Sequence, residues 1–257
     1  MGKMKILAAC CLAGGLMLAQ NAFAAGVETS IGMGVGMAPD YEGSDDYEAV
    51  PLPFARMNWG DNGNYVLLSG NNVRANFLSD KWQLGPLLQY RAERHSVDNK
   101  KVKRMEDIDS AVEGGLFLLY KGGPWRFGLD AVTDISDEHD GSLVTLRAAY
   151  VCDNVENWKF TTTLSSTYAD DDYMETYFQV DSKNVKDSGL SLYEAEGGIK
   201  DVGLSFHADY SWNKSWSMQG IASYTQLIDD AKNSPVVDDE GDEGQMFLGV
   251  LAIYHFN

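Results

Sequence analysis

Trp125-Arg126-Phe127-Gly128-Leu129-Asp130-Ala131-Val132-Thr133-Asp134-Ile135 is the stretch that decides the fold. In an extended chain Trp125, Phe127, Leu129, Ala131 and Ile135 fall on one side, and Arg126, Asp130 and Asp134 on the other. A period of two with charge confined to one face is the pattern of a strand set between an apolar phase and water. It recurs at Val27, Thr29, Ile31, Met33, Val35 and Met37, whose alternates are Glu28, Ser30 and glycines. It recurs again at Trp158, Phe160, Thr162, Leu164 and Tyr168, opposed by Lys159, Thr161, Thr163, Ser165 and Thr167. Leu204, Phe206, Ala208, Tyr210 and Trp212 alternate with Ser205, His207, Asp209 and Ser211.

Less regular strands fit near 47–59, 64–78, 82–94, 108–121, 141–152, 173–181 and 215–229, and a closing strand spans 244–256. Turn residues separate them at Asp61-Asn62-Gly63, Ser79-Asp80, Gly122-Gly123 and Asn213-Lys214. The map holds about twelve strands, with ten or fourteen open. Short connections at 60–63 and 79–81 cannot both lie on one side of a membrane if a single strand joins them. Either 64–78 is a hairpin, or one boundary is shifted, or 182–198 supplies another strand.

At the N-terminus Lys3 and Lys5 precede an apolar run, Ile6 to Ala19, and the small-residue site Ala22-Phe23-Ala24, the pattern of a cleaved secretory signal peptide. Residues 1–24 are therefore expected to be a leader and 25–257 the barrel domain. Leu7-Ala8-Ala9-Cys10 also fits a lipoprotein cleavage site, but the stretch between Lys5 and Cys10 is shorter than the ~7 residues an apolar leader core needs. Cys10 and Cys11 leave with the leader, and Cys152 alone makes no disulfide framework. A formal charge of −18 argues against a nucleic-acid partner. No later stretch reaches the ~18 apolar residues of a membrane helix, so a membrane form has to be a closed barrel.

The expected fold is all-β: an antiparallel transmembrane up-and-down β-barrel in the outer membrane of a Gram-negative cell, in contact with lipid and lipopolysaccharide. Tyr47, Trp59, Trp82, Tyr90, Trp125, Trp158, Tyr168, Trp212 and Trp216 sit near strand ends, where aromatic girdles lie. A soluble β-sandwich also alternates, but it seldom keeps one face so uniformly polar over strands this long.

Ser205, His207 and Asp209 carry the three residue types of a hydrolytic triad on one face of one strand. Residues four apart on a strand lie ~13 Å from each other, too far for hydrogen-bond contact. Arg126, Asp130, Asp134, Ser205, His207 and Asp209 are instead expected to line the lumen. Acidic clusters at Asp45-Asp46, 137–140, 170–172 and 238–243 offer oxygen ligands but match no EF-hand spacing. The basic loop His95 to Asp107, with Lys100, Lys101, Lys103 and Arg104, suits phosphates outside or a periplasmic partner inside. Tyr254 and Phe256, on the closing strand, are the candidate aromatic assembly signal. GxGxxG, P-loop, CxxC and HExxH motifs are all missing, so no cofactor, no metal centre and no enzyme are expected.

Met37-Ala38-Pro39-Asp40-Tyr41-Glu42-Gly43-Ser44, followed by Pro51-Leu52-Pro53, resembles the N-terminal motif of the MltA-interacting protein/OmpV family of outer-membrane proteins. Leu84-Gly85-Pro86 with Tyr90-Arg91, Asp107-Ile108-Asp109 to Glu113-Gly114-Gly115, Tyr177-Phe178-Gln179-Val180, Ser188-Gly189-Leu190 with Tyr193, and Asn233-Ser234-Pro235-Val236-Val237 follow in family order, ahead of Tyr254-His255-Phe256. Gln179 stands where a glycine is usual, and Asn257 follows the terminal Phe. The resemblance implies an outer-membrane barrel that scaffolds murein processing by joining a periplasmic lytic transglycosylase, a murein hydrolase, to a murein synthase. A narrow pore for small solutes and a barrel lipid hydrolase are the competing functions.

Overall fold

The structure, a computed structural model, describes residues 27–256. The expected leader, residues 1–24, and Asn257 lie outside the described residues. The alternation resolves into twelve antiparallel strands closed in the order β1-β12-β11-β10-β9-β8-β7-β6-β5-β4-β3-β2. They are β1 Glu28–Pro39, β2 Tyr47–Trp59, β3 Asn64–Ser69, β4 Asn72–Asn76, β5 Trp82–Arg91, β6 Ala111–Gly122, β7 Trp125–Asp134, β8 Ser142–Val155, β9 Trp158–Ala169, β10 Gly198–Ser211, β11 Trp216–Leu227 and β12 Gly244–Phe256.

Two sequence expectations change while the total stays at twelve. Residues 64–78 are a hairpin, β3 and β4, turned at Gly70 with φ +59°. That turn removes the sidedness conflict, because the connections at 60–63 and 77–81 now lie at the same end. Residues 173–181 are not a strand: Asp171–Phe178 is helix α1, capped by Asp170 accepting from Tyr173 N at 3.1 Å. Tyr173, Met174, Tyr177 and Phe178 are its buried residues, a face spaced by four. Residues 182–198 add no strand ahead of β10; they carry helix α2, Ser182–Ser188, ended by Gly189 at φ +79°.

Among the described residues no helix is long and apolar enough to cross a membrane; the strands do so. Leu164 is 60% exposed at mid-strand, and Leu116, Leu146, Leu204, Val35 and Leu248 stand out from the wall in the same way. A closed cylinder with such a band spans an outer membrane, with its short turns periplasmic and its long loops outside. All six tryptophans lie at the short-turn end. Their rings pair there, Trp82 with Tyr120 at 4.5 Å, Trp158 with Tyr210 at 4.8 Å and Trp216 with Tyr254 at 5.0 Å.

The lumen is not polar all round, as alternation alone suggested. Along β7 to β10 it shows charge and hydroxyls. Beside β1, Leu52, Leu251 and Ile253 are buried with Phe54, Ile221 and Phe247 against them. Glycines on β1 make room for these side chains: a Cβ on Gly34 would sit 2.2 Å from Val250 O.

On the outer half of β2 no strand pairs the side opposite β1, since β3 meets only Phe54 to Trp59. Pro51 and Pro53 lie in or beside that stretch. Gly70 N donates to Pro53 O at 2.9 Å, so the missing proline N–H groups would have pointed toward this open side.

The outer loops fold inward over the lumen. Short helices α3, Asp229–Asn233, and α4, Pro235–Asp238, pack on each other and on α1, while α2 packs on the 3-10 turn Val102–Arg104. Tyr173, Phe178 and Val237 from the loops join Leu87, Phe117, Val132 and Leu143 from the wall in one apolar core. A second core, Val97, Val102, Met105, Val180, Leu190 and Val236, lies among the loops themselves.

Candidate functional site

Beneath these loops the outer half of the lumen holds a cavity of about 500 Å³. Its wall is set by strand phase. Asp130, Val132, Leu143, Thr145, Arg147, Ser165 and Thr167 point inward from β7, β8 and β9. On β10 the phase breaks: Ile199 pairs with Tyr168 but Asp201 with Thr167, leaving Lys200 as a bulge. The bulge turns both Lys200 and Asp201 away from solvent, and Lys200 Nζ donates to Asp201 Oδ2 at 2.6 Å.

Lys200 also pairs with Glu42, which the first outer loop inserts into the barrel. Arg91 lies 3.8 Å from Glu42 and 2.6 Å from Glu113. The Tyr173 ring covers this group, its centroid 4.7 Å from the Arg91 guanidinium, and its hydroxyl donates to Glu42 at 2.6 Å. Burial opposes the charged form of Glu42, but Lys200 and Arg91 outweigh it and bring its carboxyl down to about 2. His139, from the 135–141 turn, adjoins the network: its Nδ1 accepts from Gly141 N at 3.1 Å, and its Nε2 lies 3.3 Å from Glu113 without hydrogen-bond geometry.

Nearer the mouth, Tyr41, Arg94 and Tyr177 line the same cavity and are 7%, 7% and 6% exposed. Arg94 donates from Nη1 to the Tyr177 carbonyl at 2.9 Å and, among the described residues, forms no ion pair within 4 Å. Burial without a close counter-charge lowers its guanidinium to about 10, and burial pushes the Tyr41 phenol up to about 12. Arg94 Nε, Tyr41 Oη and Tyr177 Oη have no hydrogen-bond partner; Ser44 lies beside Tyr41 without good geometry.

Among the residues expected in the lumen, Asp130 is buried and paired with Arg147 and, at 3.4 Å, with Arg74. Arg126 sits at the periplasmic end and donates to the carbonyls of Gly123 and Trp125 at 2.6 and 2.9 Å. Asp134 does different work: at the outer end of β7 it accepts from Ser136, Glu138, His139 and Asp140 N–H groups and shapes the 135–141 turn. Ser205, His207 and Asp209 occupy one face of β10 without hydrogen bonds among them, and Asp209 accepts from Gln219 at 2.6 Å. Tyr254 and Phe256 meet edge to face at 4.9 Å at the periplasmic rim.

The basic segment 95–107 belongs to the outer loops, and its Lys101 pairs with Glu240 at 2.6 Å. The acidic clusters serve largely as loop caps and ties: Asp170 accepts from Ser142 N, Asp171 from Gly197 N and Asp242 from Gly244 N. Among the described residues no group of His, Cys, Asp and Glu is arranged to hold a metal ion. Glu42, Arg91, Arg94, Glu113, Lys200 and the three tyrosines are not marked by any local motif of catalysis. Tyr41-Glu42, Arg91, Glu113 and Tyr177 fall in the segments quoted for the family resemblance, and the out-of-phase Lys200-Asp201 is a further signal.

The chain is similar to the MltA-interacting protein of Escherichia coli K12, at 26% identity over 245 residues, covering 93% of this chain and 94% of that one. It is similar at 32% identity over 90 residues to outer membrane protein Omp26La of Vibrio anguillarum, covering 35% of this chain and 33% of the relative. Among solved structures, the COG4313 outer membrane channel of Pseudomonas putida F1 aligns with 90% of this chain and 96% of its own, at a TM-score of 0.47 and 13% identity. At that score nothing further follows from the likeness. The profile of the family described as MltA-interacting protein MipA matches residues 31–256, nearly the whole barrel, and the chain belongs to that family.

Proposed function

We propose that this barrel anchors murein-processing enzymes to the outer membrane, bringing a lytic transglycosylase and a murein synthase together at its periplasmic rim. The observation that carries this is the full-length match to relatives named for their interaction with MltA. The loop-packed lumen agrees with an anchor, which needs no open passage. Contact then falls to the short turns, Asp61-Asn62, Asp80-Lys81, Glu156-Asn157 and Asn213-Lys214, together with the aromatic girdle beside them. Affinity capture of the tagged full barrel from detergent-solubilised envelopes tests it. Enrichment of a murein hydrolase and a synthase supports the anchor, and recovery of the barrel without either overturns it.

The cavity favours a second reading, a narrow small-solute channel. Planar-bilayer recordings decide it: discrete conductance steps from the purified barrel support a channel, and a silent membrane holding folded barrel refutes one.

A further inference from the structure

We propose that the outer-lumen cavity opens sideways into the outer leaflet between β2 and β5, and that it receives the uncharged, hydroxyl-bearing headgroup of an amphiphile whose chain stays in the lipid. This goes beyond both functions above, because it requires neither a periplasmic partner nor conduction.

The opening follows from the short hairpin. β3 and β4 end at Gly70-Asn71, tied to β2 by Gly70 N to Pro53 O at 2.9 Å and to β5 by Tyr90 N to Asn71 O at 2.8 Å. Above that sill β2 continues to Tyr47, and with two strands missing it stands three strand spacings from β5, roughly 14 Å. Glu48 and Val50 on one side and Gln89 and Arg91 on the other line the cavity, whereas among the described residues none of β3 or β4 does. The chain leaving β5 forms the lintel. Exposed Ala92 and Glu93 line the cavity too, and Asp98 N donates to Asp40 Oδ2, just past β1, at 2.9 Å. The window is level with the lipid-facing belt: Ala49 pairs with Met37 and Pro51 with Val35, Tyr90 pairs with Val112, and Met37, Val35 and Val112 are exposed.

Rim and wall select the group that enters. Pro53 turns its carbonyl toward β3, so Ala49 and Pro51, in the same phase, turn theirs into the window. The Ala49 N–H and both carbonyls have no strand partner there. Hydrocarbon cannot satisfy them, but hydroxyl groups can. Inside, Ser165, Ser223 and Thr225 present hydroxyls to the same space, and among the described residues these have no protein hydrogen-bond partner. Val50, Gly36, Gly249 and Ile221 form one row across β2, β1, β12 and β11, and Ser223 follows Ile221 on the same face, so rim and hydroxyls fall within the span of one headgroup. Asp40, Glu48 and Glu93 at the window form no ion pair among the described residues, and they repel a phosphate. Beyond the rim Arg91, Lys200 and Arg147 are paired with Glu113, Asp201 and Asp130, which leaves those carboxylates closed to a cation as well.

Photolabelling of the full barrel in phosphatidylcholine nanodiscs tests the proposal. The probes are decyl maltoside, decyl phosphate and decyltrimethylammonium, each with a diazirine in its chain beside the headgroup, and mass spectrometry of the digested barrel locates the label. Decyl maltoside should concentrate its label on residues 47–52 and 88–93 over the lipid face of β9, and the two charged probes should not. Val50→Trp with Gln89→Trp fills the window and should abolish the excess. Ser223→Ala with Thr225→Val removes two wall hydroxyls and should cut it at least about fivefold. The hydroxyl pair carries the test if the tryptophan pair does not fold to an SDS-resistant barrel. Even labelling around the wall, the same excess with a charged probe, or an unchanged excess in either folded pair would each overturn it.

Discussion

The Tyr173 hydroxyl donates to Glu42 Oε2 at 2.6 Å, fastening α1 to the first outer loop across 131 positions of chain. Lys200 and Arg91 hold the same carboxylate, so one residue ties two loops to the barrel wall. Its carboxyl is brought to about 2 from an ordinary 4.5. A carboxyl depressed in the folded state stabilises fully above its ordinary value and loses that stabilisation as pH falls toward the folded value. Near-ultraviolet dichroism of the tyrosines and protease sensitivity of residues 170–197 should therefore hold constant from neutral pH to about 4.5 and change between there and about 2. A flat profile over that window would show that Glu42 does not hold the loops.

Asp130 and its neighbour Leu129 give opposite outcomes. Asp130→Leu leaves Arg74 and Arg147 without their shared carboxylate and should lower refolding stability by about 1–3 kcal/mol while still inserting. Leu129→Asp puts a charge on the lipid face, costing somewhat less than the ~2–4 kcal/mol known for basic residues at the midplane, and should impair insertion. Refolding into lipid vesicles, read by the mobility difference between unheated and boiled samples, compares them. Equal insertion defects would mean that the two faces are exchanged.

Gly34→Ala should open the seam where the barrel closes. The new Cβ would lie 2.2 Å from Val250 O and 2.4 Å from Leu251 Cβ, and β1 must shift from β12 to admit it, at about 1–3 kcal/mol. At Gly220, on neighbouring β11, an added Cβ meets nothing within 4 Å, so Gly220→Ala is the neutral control. Denaturant unfolding of the two variants measures the contrast, and equal midpoints would remove the steric account.

Phe256→Asp and Val250→Asp separate assembly from folding. Phe256 stands at the periplasmic rim against Tyr254, where a charge costs only ~0–1 kcal/mol. The purified variant should refold in detergent nearly as well as the parent yet fail to accumulate in cells. Val250 is lipid-facing within β12, and Val250→Asp should refold poorly by itself. If both refold equally badly, the terminal aromatic acts in packing rather than in recognition.

Most of the wall is legible in the sequence because lipid and lumen impose opposite demands on alternate residues, as Trp125 to Ile135 shows. The hairpin at 64–76 is less so, since β3 and β4 are too short to alternate clearly; Ser69-Gly70-Asn71-Asn72 is its one turn signal. Helix α1 reads as a strand while Tyr173 and Tyr177 are counted by twos, but Tyr173 with Tyr177 and Met174 with Phe178 repeat by four behind a capping Asp170. The cavity is least legible. Glu42, Arg94, Tyr177 and Lys200 come from four separate segments, and only loop folding brings them to one space. Lys200-Asp201, two polar residues in succession where the strand pattern allows one, is the clue that strand phase itself offers.

The short hairpin also bears on the membrane around the protein. Between β2 and β5 the wall stops at Gly70-Asn71, while β2 runs on through residues 47–52, about 20 Å of strand. The wall of that sector is therefore shorter than β2 beside it, and a shorter apolar height is the kind a bilayer matches by thinning. The prolines of β2 keep that open side from becoming a ladder for a foreign strand, so the low sector of the wall is left to lipid rather than to a thirteenth strand.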